Sequence, residues 1–591
     1  MRTSRDIIVK VLILTFPLFF LFFFFILPLI KIFTLAFGIP LSITHIFSVI
    51  RFLDVKILAL VFGIQIDNTT AFLFKVLNHP LNKYFLYWDI QQALVTTILC
   101  LIIGMPGSYA LAHYQFPGRS LLRNLLTIPF ILPPIVVLIG FITVFGHGSW
   151  INEIWKNLTG VLLIDIYNTY EGIILAHVFY NIPVIVRLTE IGWKNIDPEL
   201  IAVGRSLKAS RWQIFWKIQF PQLFPILAVA SLLVFIYAFN SFAIVLVLGG
   251  VQYQTLEVRI YSLAKGTFDF NSAAALTLVQ IFINIVIIIF YLYYSNKYEI
   301  PIRKQLWNFE KKLVSKPLRI STILKVLSIF MYFIFVGVIC VLPILGVFFA
   351  SCTSSDGTFT LEYYTKLFNL NLRNFIGLAP QTMIFNSIFF GIGVIFLALT
   401  LALLLNYGVN YETTFKGTPK LTLRQSISGI IVILPLAVSS ITLAFALFSL
   451  YRFTPIYENV SAAIIIAQTL IAFPFANRII AGTRANIDPT IINVARSLGA
   501  SRLRTFIKVE LPLLLPGVIV AGLFSFAISI GEFGATSFLA RANFATIPVG
   551  IYRLIDTRNI GPAASFSTIL VIITVISFTI IEKFGSLEFR F

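Results

Sequence analysis

The chain has 591 residues, of which 58% are hydrophobic and 12% charged, and it carries a formal charge of +20. That is too little charge to coat a soluble body of this size. The basic residues sit in short loops between long apolar runs, without the aromatic–basic patterning of nucleic-acid binding, so the excess reads as the positive-inside bias of membrane proteins and excludes a nucleic-acid partner. Each apolar run is long enough to cross a hydrocarbon core of about 30 Å as a helix, the conformation that satisfies its own backbone where water is absent.

In chain order, a short basic N-terminus precedes a first span at about 11–37. That run is too long for a signal-peptide core and lacks a clear cleavage site, so it reads as a retained span. Spans follow at about 91–112, 125–146, 172–189, 224–249 and 272–294, and then at 324–350, 382–407, 428–451, 461–480, 513–531 and 564–582. Residues 38–90 form the largest outer segment, too short and apolar for a typical enzyme domain. Ser295 to Ile323 is polar and basic, a cytoplasmic linker between two six-span units at 1–294 and 324–591. With both termini in the cytoplasm of a multi-pass cell-membrane (plasma or inner membrane) protein, most of the 44 Lys and Arg fall on the cytoplasmic face. Cys100, Cys340 and Cys352 have no metal-like spacing, and no metal site is expected.

The two units are copies. Ile196-Asp197-Pro198, Arg205-Ser206-Leu207, Ala209-Ser210-Arg211 and Pro221 recur as Ile487-Asp488-Pro489, Arg496-Ser497-Leu498, Ala500-Ser501-Arg502 and Pro512, all displaced by 291 residues. Pro183 with Pro474, Phe242 with Phe533, Thr255 with Thr546 and Tyr261 with Tyr552 keep that register. Even span numbers give both copies one orientation, a parallel repeat. The fold class is therefore an all-α membrane protein of about twelve transmembrane helices in two duplicated six-helix units.

The repeated segment lies in cytoplasmic loops at about 190–225 and 481–516. Asp197-Pro198 and Asp488-Pro489 read as helix starts, with Asp as N-cap and Pro at the first helical position. Leu200, Val203, Leu207, Ile214 and Phe215 recur near helical spacing. Gly499 suits a left-handed turn between two short helices, and Pro221 and Pro512 mark entry to the next span. Two short helices on a cytoplasmic face make a docking element for a soluble partner. A helix lying on lipid headgroups is the alternative, but lipid binding needs no such register.

Arg496-Ser497-Leu498-Gly499-Ala500-Ser501-Arg502, followed by Leu511-Pro512, resembles the coupling-loop signature of binding-protein-dependent ABC importer permeases. The resemblance covers nearly the whole chain and implies a type I importer permease fold. It implies an ATPase dimer that receives the loops through Asp197, Arg205, Ser206, Leu207, Ala209 and Pro221 in one copy and Asp488, Arg496, Ser497, Leu498, Gly499, Ala500 and Pro512 in the other. An extracytoplasmic solute-binding protein would deliver the solute. No cofactor is expected in this chain, since ATP would be held by the partner; the sequence has no Gly-x-x-x-x-Gly-Lys-Ser/Thr loop. Fused two-domain permeases belong chiefly to the thiamine and iron(III) branches. Ala176-His177-Val178-Phe179-Tyr180-Asn181-Ile182-Pro183 and Ser241-Phe242-Ala243 resemble the thiamine branch, whereas Gly531-Glu532-Phe533-Gly534-Ala535 resembles both. Sulfate and molybdate carriers share the fold.

The family usually has Glu where this chain has Ala202 and Asn493, and Lys208 replaces the turn Gly in the first copy. Lys in a left-handed conformation costs about 1 kcal/mol, so the first loop is expected to turn differently. Glu532, near the outer end of its span, is a candidate to attract a cationic solute, with Asn240 and Ser241 at the equivalent region of the first copy. Gln280 suits an interhelical hydrogen bond, and His177 a packed, hydrogen-bonded role. Glu257, Arg259, Tyr261 and Arg553 fall in outer loops that could receive the binding protein. A secondary transporter would carry more embedded coupling charges, and a membrane enzyme would cluster its catalytic groups, but the five His are scattered.

Overall fold

A computed structural model describes residues 4–37, 75–297, 311–312, 320–354, 356–368, 377–409 and 432–585, apart from isolated positions within 117–131, 163–164 and 433. The outer segment expected before residue 75 and most of the expected linker lie outside the described residues. Of that linker, Lys311–Lys312 pairs as a parallel strand with Tyr114–Gln115.

The described chain is overwhelmingly helical, and ten helices are long and apolar enough to cross a membrane. They run Ile13–Ala36, Pro80–His113, Tyr170–Asn195, Arg211–Phe239, Phe270–Ser295, Val326–Cys352, Pro380–Gly408, Val460–Ala485, Arg502–Gly531 and Ile560–Ile581. The two remaining expected spans appear as shorter apolar helices, Pro134–Phe145 and Ser440–Tyr451. Pro133 and Pro134 fix the start of the first of these, because proline lacks the donor a preceding turn would need. All twelve expected spans thus have a helix, ten of them full length.

Expected helix boundaries shift most around the repeated loops. Pro221 and Pro512 do not open new spans. The helices Arg211–Ile214 and Phe220–Phe239 are joined through a π-helical turn at Phe215–Gln219, and Arg502–Thr505 joins Leu511–Gly531 through Phe506–Glu510. A proline ring clashes with the carbonyl four residues back, here Lys217 or Lys508. Widening that turn to π geometry accommodates it, and the helix continues.

The chain packs as two compact units that cut across the repeat boundary. One contains the N-terminal helix, residues 260–278 and the helices after 360. The other contains 79–259 with 279–359. In the first unit, Leu14 lies against Gly408, and the Tyr451 hydroxyl donates to the Phe23 carbonyl at 2.5 Å, inside a π-helical turn at Phe22–Ile26. In the second, the helix Ile320–Cys352 packs on Pro134–Phe145. A Cβ at Gly140 would land on the Pro343 carbonyl, so glycine permits a close backbone approach of the kind that holds membrane helices together. Tyr332 donates to the Ile103 carbonyl at 2.6 Å in the same unit. The first half therefore contributes its N-terminal span and residues 260–278 to the unit formed mainly by the second half, which contributes one span in return.

Candidate functional site: the paired loops

Both loops are built by the same local rules. Pro198–Ser206 and Pro489–Ser497 are nine-residue helices. The Asp197 carboxylate accepts from Glu199 N at 2.9 Å, and that of Asp488 from Thr490 N at 2.8 Å, which satisfies amides the first turn leaves orphaned. The bonds from Thr490 favour the ionised form of Asp488 and hold it below its ordinary value. Ser210 and Ser501 cap the helices that follow, through Gln213 N at 3.2 Å and Arg504 N at 3.4 Å. In the first copy Gln213 returns a bond from Ser210 N at 2.8 Å and completes a capping box. The Ser-x-x-Gln spacing was the sequence signal for that cap.

The turn between the helices is the same in both copies, contrary to the expectation for Lys208. Lys208 has φ +59° and Gly499 has φ +85°. Ala209 N bonds to Gly204 O at 3.0 Å and Lys208 N to Arg205 O at 2.9 Å. Ala500 N bonds to Ala495 O at 3.2 Å and Gly499 N to Arg496 O at 3.0 Å. This paired closure satisfies the last helix carbonyls. Two backbone hydrogen bonds offset the strain of about 1 kcal/mol in a left-handed Lys, so both loops turn alike.

Each short helix has two faces. The inner face packs on the span that follows: Gly204 is buried against Ile214 and Ile218, and Ile492 is buried in the second copy. Asp197 N also bonds to Gln222 at 3.2 Å. The outer face is apolar and uncovered. Leu200, Val203, Leu207, Trp212 and Trp216 are exposed, and 291 residues on so are Ile491, Val494, Leu498, Leu503 and Ile507. Leu207 is 77% exposed and Leu498 82% exposed. Arg205, Ser206 and Ser497 are exposed beside them, Ala209, Arg496 and Ala500 are half-buried, and each Ser hydroxyl bonds back to its own helix. Such an apolar stripe flanked by polar residues matches helix-in-groove recognition.

The span ends behind the loops differ. In the second copy Arg484 binds Glu510 at 2.9 Å and the Asn406 carbonyl at 2.6 Å, tying the loop's two flanking spans together. The repeat positions of Arg484 and Glu510 in the first copy are Trp193 and Gln219, which instead line an open groove of about 580 Å³ with Tyr109 and Phe215. There Glu190 pairs with Arg123 and, at 2.9 Å, with Lys194.

The expected pathway residues are committed to local structure. Glu532 is buried, and its carboxylate is hydrogen-bonded locally. Its oxygens accept from Ala535 N at 2.7 Å, Thr536 N at 2.9 Å and the Thr536 hydroxyl at 2.7 Å, so it caps the helix Gly534–Leu539. Ser241, its repeat equivalent, is buried and hydrogen-bonded to His177 at 2.8 Å. Asn240 joins a network with Gln280 at 2.9 Å and Asn284 at 3.0 Å. Gln280 also donates to Glu257 at 3.2 Å, and Glu257, expected in an exposed outer loop, is buried. Arg259 is held by Asn82 at 3.4 Å. Sequence reasoning missed Asp89, which is wholly buried and caps the helix at Leu256 N, 2.9 Å away, while Gln92 donates to it at 3.0 Å. An Asp inside an apolar run was the available signal.

A polytopic all-α chain built as two copies, each with the same exposed two-helix loop, has the architecture of a transport permease. Residues 104–300 and 418–585 match the family described as binding-protein-dependent transport system inner membrane component, and the chain belongs to that family. It is 26% identical over 509 residues to the thiamine transport system permease protein of Haemophilus influenzae, covering 85% of this chain and 88% of that one. The permease of the same description in Escherichia coli is 26% identical, with 84% and 88% covered. A ferric transport system permease protein of Actinobacillus pleuropneumoniae is 25% identical over 76% of this chain and 63% of its own length. The chain is a fused two-domain ABC importer permease, and it resembles permeases named for thiamine and for ferric transport.

Proposed function

We propose that this chain is the membrane subunit of an importer that brings thiamine into the cytoplasm, driven by an ATPase dimer that grips the two loops. The observation that carries the drive mechanism is the matched, uncovered apolar stripe of Leu200, Val203 and Leu207 and of Ile491, Val494 and Leu498. Each ATPase subunit takes one loop. When nucleotide closes the dimer, each loop is displaced, and because Arg211 and Arg502 begin helices that continue into spans, displacement reaches the membrane without a hinge. The spans then alternate access, and a solute-binding protein supplies thiamine from the other side. The chain itself performs no chemistry, and both termini lie in the cytoplasm.

Thiamine is favoured by the relatives that match over the larger share of both chains. Iron(III) is the second reading, favoured by the ferric permease match. Uptake of labelled thiamine and of labelled ferric iron, in cells with and without the chain, separates them. Loss of thiamine uptake alone supports the proposal. Loss of iron uptake alone replaces it with the iron reading, and loss of neither removes both solutes.

A further inference from the structure

In the unit that carries the second loop, the spans Val460–Ala485 and Arg502–Gly531 run from that loop to a cluster of cations on aromatic rings. Lys265 Nζ lies 5.3 Å from the Phe538 ring centre and 5.9 Å from that of Phe448. Arg452 lies 4.9 Å from Phe270 and 4.6 Å from Phe453, and Arg541 lies 4.9 Å from Tyr457. The rings form one platform: Phe448 is 5.2 Å from Tyr457, 5.8 Å from Phe538 and 5.9 Å from Phe270.

Three cations share this platform, and among the described residues none of the three has an ion pair with a carboxylate. Nearby Asp269 is spent on capping Ser272 N at 3.0 Å. Ring faces attract cations but leave their charge uncompensated. Burial also holds the Lys265 ammonium below its usual value. Two aromatic tips flank the charges: Phe453 is 86% exposed and Phe268 68% exposed. Phe268 also holds φ +55°, a conformation that costs a non-glycine residue free energy. Exposed aromatics beside Arg are the composition of interface anchors.

We propose that Lys265, Arg452 and Arg541 form the seat for surface carboxylates of the solute-binding protein, with Phe268 and Phe453 as its apolar anchors. The assignment rests on the importer reading above. It places the seat at the end of these spans away from the docking loop, the side from which solute must arrive. The solute itself does not fit, because thiamine and ferric iron are cations. A carboxylate-bearing protein face matches both the charge and the exposed rings, and paired charges of this kind set encounter rate and salt dependence.

The test uses the full permease–ATPase complex in nanodiscs of zwitterionic lipid, with the purified solute-binding protein of the same cells. Its affinity is measured against salt for wild type, Lys265→Glu/Arg452→Glu and a control, Arg558→Glu, which reverses an exposed charge off the platform. The double variant is expected to bind about tenfold or more weakly at low salt with a flatter salt dependence, while the control stays near wild type. Should the double variant fail to assemble with the ATPase, Arg452→Gln carries the same comparison. Unchanged affinity overturns the proposal, as does an equal loss in the control. So does a variant that, in a parallel series of nanodiscs containing anionic lipid, changes only the complex's preference for that lipid, which would make the cluster a phosphate seat. If the wild-type complex transports solute yet engages no solute-binding protein, the importer reading fails, and that outcome is distinct from a failure of the seat.

Discussion

At the scale of single residues, the loops are governed by caps and one left-handed position each. Gly499 and Lys208 occupy equivalent turns, but their substitutions should differ. Gly499→Pro forbids positive φ and deletes the amide that bonds to Arg496 O, so it should abolish solute uptake while the spans still insert. Lys208→Gly only relieves strain and should leave uptake at the wild-type level. Parallel uptake assays with membrane fractionation check both. Asp488 supplies a pH-dependent cap. Its acid is held below the ordinary range by its bonds to Thr490. The cap therefore contributes fully above about pH 4, the unperturbed value, and is lost as pH falls through the depressed one. Hydrogen exchange of the first amides after Pro489 should accelerate in acid beyond its intrinsic pH trend in wild type, and follow that trend alone in Asp488→Asn, whose amide oxygen caps at any pH. Equal acid dependence in both proteins would refute this role for the carboxylate.

At the scale of elements, the two short loop helices were legible because their signals are local. Asp-Pro at the start, the 291-residue register and the apolar spacing need no knowledge of what packs where. The sequence misled where a partner decides the outcome. Glu532 looked available until the helix Gly534–Leu539 claimed its oxygens. Pro221 and Pro512 were expected to mark entry to the next span, but a π-helical turn before each one joins that span to the short helix upstream. Lys208 looked unfit for the turn until two backbone hydrogen bonds offset its strain. Because the two turns match, neither loop should dominate docking. Leu207→Glu and Leu498→Glu should each weaken ATPase co-purification, by about 2 kcal/mol for a buried anchor, a roughly thirtyfold loss of affinity. The double variant should recover no ATPase. A Leu207 variant indistinguishable from wild type would show that one loop carries the coupling.

At the scale of the whole molecule, the duplication was readable but the exchange of spans was not. Apolar runs announce that they cross the membrane without saying which neighbour they choose, because lipid and helix faces are equally apolar. Only contacts reveal that Ser4–Ala36 is held beside Pro380–Val409 and Ser440–Tyr451, or that Ile320–Cys352 is held beside Pro134–Phe145. The consequence is testable by cutting the chain between residues 300 and 310. Expressed alone, the first half would keep Gly140 without Pro343, and the second would keep Gly408 and Tyr451 without Leu14 and Phe23. Each would expose helix faces shaped for a missing backbone, so each alone should be degraded or aggregate in the membrane. Expressed together, the halves restore the contacts named above, and solute uptake should return. A first half that is stable alone, measured by its lifetime in the membrane, would mean that the exchanged spans contribute little to holding the units together.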